Sequence, residues 1–362
     1  MDLQTQPSAP EEEESLYQLS VIVPARNEQD ALPACLHSLL AQSEPGFALG
    51  IEWELLLVDD ASSDNTRALM AQAATLHGVT LLDAPPLDTS DTSGFNGKTN
   101  ACWAAAQAAN GKLLLFTDAD TVHEPGNLSR ARRELEKYDV ALLSYSPRQL
   151  TSSLLQRMLM PLVFAELAIA YPLKRVNLPE DRTAAANGQF ILVQQDAYFA
   201  VGGHRGVGTQ VLEDVALASA IKRSRKPIRF RYAPDALSTH MYRSTPAMLE
   251  GWTKNLALLF RSPIPMALIG LLIFLLILGL PLFAFTYPFL NTLQRTLIGI
   301  VWLRGVWHFL SRVGKSNFPI ADRLLALFGI PLFAYLLIRS YIDVRVKKSV
   351  AWKGRNYATG RR

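Results

Sequence analysis

Two cysteines in 362 residues, Cys35 and Cys102, leave this chain no disulfide framework. Both fall in stretches with helical spacing and read as packing residues. The first residues lack the apolar core of a signal peptide. They are polar, with an acidic run from Glu11 to Glu14, so residues 1–15 are expected to form a disordered acidic tail. Nothing resembles a recognition helix or an aromatic RNA-binding strand, which argues against nucleic acid as a partner. Charge is missing altogether from Ser262 to Gln294. Roughly 20 apolar residues suffice to cross a bilayer, so this stretch reads as a membrane segment.

What charge there is gathers at the end of the chain. The formal net charge is only +4. From Tyr341 onward, however, Arg345, Lys347, Lys348, Lys353, Arg355, Arg361 and Arg362 stand against Asp343 alone. A basic segment after apolar helices points to the cytoplasmic face and to anionic lipid headgroups. Two further apolar stretches precede it. Leu297–Leu310 is interrupted by Arg304 and His308, and Leu324–Ile338 is short, with Pro331 expected to break it. A domain and a tail on the same side of a membrane need an even number of crossings, and three apolar segments do not supply one. Either the first segment splits into a hairpin near Pro281, or one segment is re-entrant.

The first two thirds of the chain alternate short apolar runs with helical spacing, which predicts an α/β fold with a mostly parallel sheet. Leu19–Val23 is a strand ended by Pro24, and Ala31–Leu40 a helix. Glu54–Val58 is a strand ended by Asp59-Asp60. Ser62-Ser63-Asp64 caps a helix running to about Leu76. Val79–Leu82 is a third strand, and residues 83–95 are a loop. Asn96-Gly97-Lys98 opens a helix from Thr99 to Ala109, and Lys112–Phe116 is a strand running into Asp118-Ala119-Asp120. Leu154–Tyr171 reads equally as a core helix or as one lying on the membrane or lining an acceptor groove. Gly202-Gly203 marks a turn, Glu213-Asp214 opens a helix over Val215–Lys222, and Ile228–Tyr232 is a late strand.

The polar residues cluster where strands end: Arg26-Asn27-Glu28, Asp59-Asp60, Lys98, and Asp118 with Asp120. In an open α/β sheet, ligands bind outside the carboxyl ends of the strands. Carboxylates one residue apart suit a hard divalent cation that in turn holds a diphosphate. Lys98 suits a phosphate. Taken one at a time, each site also has a plainer reading: a solvated turn for the acid pair, and a helix N-terminus favouring negative charge for Glu213-Asp214.

Together the motifs resemble glycosyltransferase family 2. They are Val21-Ile22-Val23-Pro24-Ala25-Arg26-Asn27-Glu28, Val58-Asp59-Asp60-Ala61-Ser62-Ser63-Asp64, Asp118-Ala119-Asp120 and the later Glu213-Asp214. The resemblance spans about residues 19–255 and implies a GT-A nucleotide-diphospho-sugar transferase fold with inverting chemistry. A narrower similarity, to the membrane-bound diaponeurosporenoate glycosyltransferases, rests on Gly97-Lys98, Gly202-Gly203-His204, Met241-Tyr242, Glu250-Gly251-Trp252-Thr253-Lys254 and Trp352-Lys353-Gly354-Arg355-Asn356-Tyr357. Those enzymes glycosylate a carotenoid acid. Hopanoid and ceramide glucosyltransferases are more distant relatives.

The resemblance implies a set of roles. Pro24, Arg26 and Glu28 shape the nucleotide pocket, together with Asp59, Asp60 and Lys98, and Asp60 accepts from the uracil. Asp118 lies near the ribose and metal, and Asp120 ligates Mg2+ or Mn2+. Asp214 is the general base, with its neighbour Glu213 as a rival. Gly203, His204, Trp252, Lys254, Trp352 and Arg355 belong to the acceptor or diphosphate side, and His240 is a candidate extra metal ligand.

The implied partners are a UDP-sugar donor, a lipid acceptor and a bilayer with anionic headgroups. The expected location is the inner membrane, multi-pass, with the catalytic domain cytoplasmic. The expected division is a tail over 1–15, a GT-A domain over 16–260, membrane helices over 261–341 and a basic tail over 342–362. Many processive members of the family carry Gln-x-x-Arg-Trp after the second acidic site. Here Met248-Leu249-Glu250-Gly251-Trp252-Thr253-Lys254 stands in its place, which favours single transfer over a polysaccharide synthase. Intact Asp60, Asp118, Asp120 and Asp214 argue against an inactive scaffold.

Overall fold

The computed structural model describes residues 16–42, 44–87, 97–208, 210, 212–347, 349–352 and 355–358. The expected acidic tail, most of the 83–95 loop and the last residues of the basic tail lie outside these. The elements run β1 (Tyr17–Ala25), α1 (Leu32–Leu40), β2 (Trp53–Asp59), α2 (Thr66–Ala73), β3 (Val79–Asp83), α3 (Gly97–Ala108), β4 (Gly111–Thr117), β5 (Thr121–His123) and α4 (Asn127–Lys137). They continue with β6 (Leu142–Ser146), β7 (Arg148–Gln149), α5 (Leu154–Ala170), α6 (Leu173–Val176), β8 (Phe190–Gln194), α7 (Gln195–Ala200), α8 (Gly203–Val207), α9 (Glu213–Arg223), β9 (Ile228–Tyr232) and β10 (Leu237–Thr239). Last come α10 (Thr245–Leu259), α11 (Pro263–Thr286), α12 (Thr292–Val313), α13 (Ile320–Tyr341), β11 (Ser349–Trp352) and β12 (Arg355–Ala358).

Seven strands form one sheet in the order β3-β2-β1-β4-β8-β6-β9. The four strands from β3 to β4 are parallel, and β8 is antiparallel to both β4 and β6. Successive side chains of a strand point to opposite faces. Leu19, Val21, Val23, Leu55, Leu57 and Leu115 accordingly pack under α1 and α4, while Ile22, Leu56, Val58, Leu114 and Phe116 pack against α3 and α9. Both faces are covered, so the strands read as unbroken apolar runs. One expectation fails locally, because Pro24 does not end β1. It pairs with Val58 in register, while pairing with β4 stops at Ile22, so its missing N–H removes no bond on that side.

The C-terminal helices form a second, apolar assembly. Leu159, Val163, Trp252, Leu256, Ala326, Ile330, Leu336 and Leu337 of α5, α10 and α13 are buried together. Among the described residues, two helices are long and apolar enough to cross a membrane, Pro263–Thr286 and Ile320–Val346. Helix α12 is continuous through Arg304 and His308, but with them it is not one of these two apolar spans. Pro331 does not break the third segment, contrary to expectation, and of the two alternatives for the first segment a split at Pro281 is not seen. The chain turns instead between α11 and α12. There Asn291 and Gln294 form a reciprocal capping box, and Arg295 donates to the carbonyls of Ala284, Tyr287 and Leu290.

Helix α13 is tied down at both ends. Arg157 Nε of α5 donates to Asp322 Oδ1 at 2.7 Å, and Ala257 N of α10 donates to Ser340 Oγ at 2.9 Å. Lateral packing on α5 and α10 carries the helix past Pro331, where one backbone bond is lost. Arg312 makes a bidentate pair with Glu166 of α5, both bonds 2.6 Å, and so fixes the end of α12.

Helices α5 and α13 approach closely at Gly329 of α13. A Cβ there would lie 2.3 Å from the backbone carbonyl of Met158, whereas one at Gly279 of α11 would meet nothing within 4 Å. Gly329→Ala is therefore expected to cost about 1–3 kcal/mol through overpacking. Gly279→Ala should cost nothing. Thermal unfolding of the detergent-solubilised chain compares the two, and equal melting temperatures would refute the close-packed α5–α13 contact.

Candidate active site

The parallel strands deliver their carboxyl ends to one edge, and there the polar residues meet. At the end of β1, Arg26 Nη1 stands 3.7 Å from Asp60 Oδ2, just after β2, and donates to the Asp60 carbonyl at 3.5 Å. Burial raises the Asp60 carboxyl above its usual range, Arg26 opposes this, and Asp59 adds to it. The two aspartates do different work. The Asp59 carboxylate accepts from Ser62 N at 3.2 Å, closing the turn after β2, while Asp60 faces Arg26.

The loops after β1 and β2 are stitched together. Asn27 N donates to Ser62 Oγ at 3.1 Å, Ser63 N to Asn27 Oδ1 at 2.8 Å, and Glu28 N to Thr66 Oγ1 at 2.8 Å. Asn27 and Ala61, both at φ 52°, take the left-handed backbone that these turns require.

Lys98, in the first turn of α3, occupies the middle of the edge. Its Nζ lies 2.6 Å from Asp118 Oδ1 and 3.5 Å from Glu213 Oε1. Burial opposes its charge, but the two carboxylates outweigh burial and hold its pKa well above the ordinary lysine value. Beside it, Asp214 accepts from Gly188 N at 3.0 Å and from Val215 N at 2.8 Å. Burial, then the Glu213 charge, pushes the Asp214 carboxyl up to about 6. Pro24, Lys98, Asp118, Gly188, Glu213 and Asp214 line one recess, floored by Phe116 and His204.

The residues expected on the acceptor or diphosphate side divide. Lys254 of α10 reaches this cluster. Burial lowers its pKa, and Glu213, Lys98, Asp214 and Asp118 are the charges it feels. Trp252, two residues earlier, is turned away into the helical layer, its Nε1 3.4 Å from Met160 Sδ and its ring edge-on to Phe164. His204 lies under the recess, bonded through Nδ1 to Tyr198 Oη at 2.9 Å and kept neutral as burial, then Lys98, lowers its pKa to about 3. Gly203 packs its backbone on the Tyr198 ring. Trp352 and Arg355 are paired in backbone register in the β11–β12 hairpin, and β11 runs beside α10.

Sequence reasoning passed over two residues here. Gly188 seats Asp214, and a Cβ on it would lie 3.0 Å from Lys98 Nζ. Tyr171 feels Asp214 from the apolar side, its phenol raised first by burial and then by that carboxylate. Neither carries a local signal, since each matters only through what the fold sets beside it.

Among the described residues, no group of three or more His, Cys, Asp or Glu side chains is gathered as a metal cluster. The antiparallel pairing of Thr239 with Thr121 does, however, set His240 across from Asp120. Asp118 and Asp120 thus have a histidine on the adjoining strand end, without the three side chains being gathered as a cluster.

Residues 20–198 match the family model described as glycosyl transferase family 2. The chain carries a family 2 glycosyltransferase domain. It is similar to the 4,4'-diaponeurosporenoate glycosyltransferase of Staphylococcus aureus strain USA300, 26% identical over 355 residues, which covers 94% of this chain and 88% of the relative. The protein of the same name from strain MRSA252 is 26% identical over 353 residues. Among solved structures, the mannosyltransferase PcManGT from Pyrobaculum calidifontis, in complex with GDP-Man and Mn2+, superposes with a TM-score of 0.50 at 16% identity. The match covers 91% of this chain and 88% of that one. At that identity the likeness concerns the fold, which is GT-A.

Beneath the acid pair, the family 2 domain builds a buried polar network. Thr117 Oγ1 donates to Gln189 O at 2.9 Å, and Thr121 Oγ1 donates to Asp118 O at 2.7 Å. Each hydroxyl has one proton, and both are spent. The remaining donor is His123 Nε2, 3.1 Å from one hydroxyl and 3.3 Å from the other. Asn127 Nδ2 donates to Nδ1 at 3.1 Å, so the bond inventory assigns the proton to Nε2. Burial pushes the His123 pKa down to about 3 and keeps the ring neutral. The network thus joins the Asp118 loop to the segment whose Gly188 holds Asp214.

A glutamine amide replaces an Nε2 donor, and leucine does not. His123→Leu is expected to lower kcat by about 10–100-fold through misplacement of the acid pair. His123→Gln should restore most of it at unchanged donor KM. Steady-state sugar transfer checks both, and equal losses in the two variants would show a purely steric role.

Proposed function

We propose that the family 2 domain transfers a hexose, glucose from UDP-glucose, with inversion to a carotenoid acid-type acceptor held at the membrane. The observation that carries this reading is the cluster at the sheet edge: Lys98 between Asp118 and Glu213, beside Asp214. The names of the curated relatives support the acceptor class, since they share 26% identity over 94% of this chain. The helical layer supports a lipid, because α10 carries Lys254 toward the charged cluster and Trp252 into the apolar packing.

On this reading Pro24, Arg26 and Glu28 border the nucleotide, and Asp60 accepts from its base. Asp118, Asp120 and, from the facing strand end, His240 would hold Mg2+ or Mn2+. When bound, the ion neutralises charge on the departing diphosphate. Lys98 adds a fixed positive charge at the same edge, organised before the donor arrives. Trp352 and Arg355 stand on the hairpin beside α10 and would close over the diphosphate.

Asp214 is the general base for a hydroxyl acceptor, held by Gly188 N and Val215 N so that its free lone pairs face the recess. Glu213 is spoken for by Lys98. A carboxylate acceptor is already a nucleophile and gives up no proton. The α11–α12 hairpin enters the inner membrane and returns, while α13 stays bound to α5 and α10. The catalytic domain and basic tail then share the cytoplasmic face, with the tail on anionic headgroups.

The test incubates the full chain in nanodiscs with UDP-sugars, divalent metal and either a carotenoid acid or a hydroxylated lipid, with products identified by mass. Transfer from UDP-glucose that is lost in Asp120→Ala is expected. No metal-dependent UDP binding, and unchanged behaviour of Asp120→Ala, would sink the donor-site assignment. With the hydroxyl acceptor the rate should fall as pH drops below about 6, because the Asp214 base becomes protonated. Asp214→Asn should cost about 10²–10⁴-fold there and far less with the carotenoid acid.

A further inference from the structure

Helices α11 and α12 leave an open groove between them, about 270 Å3, lined by Leu276, Leu280, Val301, Arg304, Gly305 and His308. Trp302 Nε1 donates to the Ile277 carbonyl at 2.8 Å and fixes the two helices on either side of it. Apolar side chains around the groove are uncovered by the protein: Leu276 is 41% exposed, Val301 56% and Trp307 68%. Clustered exposure of this kind marks a surface that something else covers.

The groove also holds an uncompensated cation. Arg157 pairs with Asp322, Arg312 with Glu166, Arg295 with the carbonyls of the α11–α12 turn, and Arg323 with the Phe318 carbonyl. Arg304 has no such partner among the described residues. His308 follows one turn later on the same face. An ionisable side chain in a membrane-facing helix is costly unless an opposite charge meets it. Arg304 lies eight residues from Arg312, about 12 Å along the helix, which brings it toward the headgroup layer on the domain side. Trp302 and Trp307 flank it, and tryptophan favours that layer.

We propose that this groove binds one anionic phospholipid of the bilayer. Its phosphate sits on Arg304 and His308, and an acyl chain runs along Leu276, Leu280 and Val301. The charge calls for an anion and the walls call for a hydrocarbon chain. The occupant is a resident lipid rather than the reacting acceptor, because the groove shares no residue with the recess at Lys98, Asp118 and Asp214.

The full chain is purified in mild detergent, equilibrated with equal phosphatidylglycerol and phosphatidylcholine, and analysed by native mass spectrometry. One retained phosphatidylglycerol is expected, preferred at least ten-fold over phosphatidylcholine. Arg304→Gln should abolish the preference. Lys315→Gln, which removes the same charge outside the groove, should leave it intact. Gly305→Leu fills the groove while keeping the cation and should also lose the lipid, so the proposal stays testable if Arg304→Gln unfolds. Retention unchanged in both groove variants would overturn it. So would equal retention of the two lipids by the wild type, or a dimer that dissociates on Arg304→Gln.

Discussion

The ammonium of Lys98 is the interaction on which the candidate site depends. Three carboxylates, Asp118, Glu213 and Asp214, converge at the end of a parallel sheet in a half-buried recess. Like charges that close repel strongly unless a cation stands among them. Lys98 supplies it, and in doing so ties the start of α3 to the end of β4 and the start of α9. The division of roles follows: Glu213 and Asp118 answer the lysine, while Asp214 turns to two backbone amides and stays poised near 6. Space for this arrangement exists because Gly188 has no side chain.

The same principle recurs one layer down. The acid pair sits on a loop whose backbone would otherwise be free to shift, and buried hydroxyls with a fixed imidazole proton hold it. A fully satisfied buried network is rigid because every alternative geometry leaves a polar group stranded. Its strands reach from Thr117 through Gln189 to the Gly188 that seats Asp214, so the acid loop and Asp214 are positioned together.

Polar and apolar halves of the molecule are joined by shared helices rather than by a linker. Helix α10 takes Lys254 toward the carboxylates and Trp252 into the packing of α5. At the end of α5, Tyr171 feels the charge of Asp214. The candidate site thus stands at a boundary between charged and apolar packing. The ion pairs Arg157–Asp322 and Arg312–Glu166 hold α12 and α13 to α5, so the boundary is rigid.

Much of this was legible in the residues themselves. Unbroken apolar runs marked β1, β2 and β4, because strands buried on both faces leave no room for polar side chains. The charged residues at their ends marked the site, because parallel strands finish on one edge. The uncharged stretch after Ser262 marked α11. What stayed hidden was set by contacts distant in the chain. Strand β8 runs antiparallel within a mostly parallel sheet, Gly188 is defined by Lys98 and Asp214, and the proton on His123 is decided by Thr117, Thr121 and Asn127 together with the distant Gln189 carbonyl. The continuity of α13 past Pro331 rests on the helices beside it. Periodicity and composition determine which face of each element is buried, since that is a property of neighbours along the chain. Which charges then face one another is a property of closure, and only the folded tertiary structure decides it.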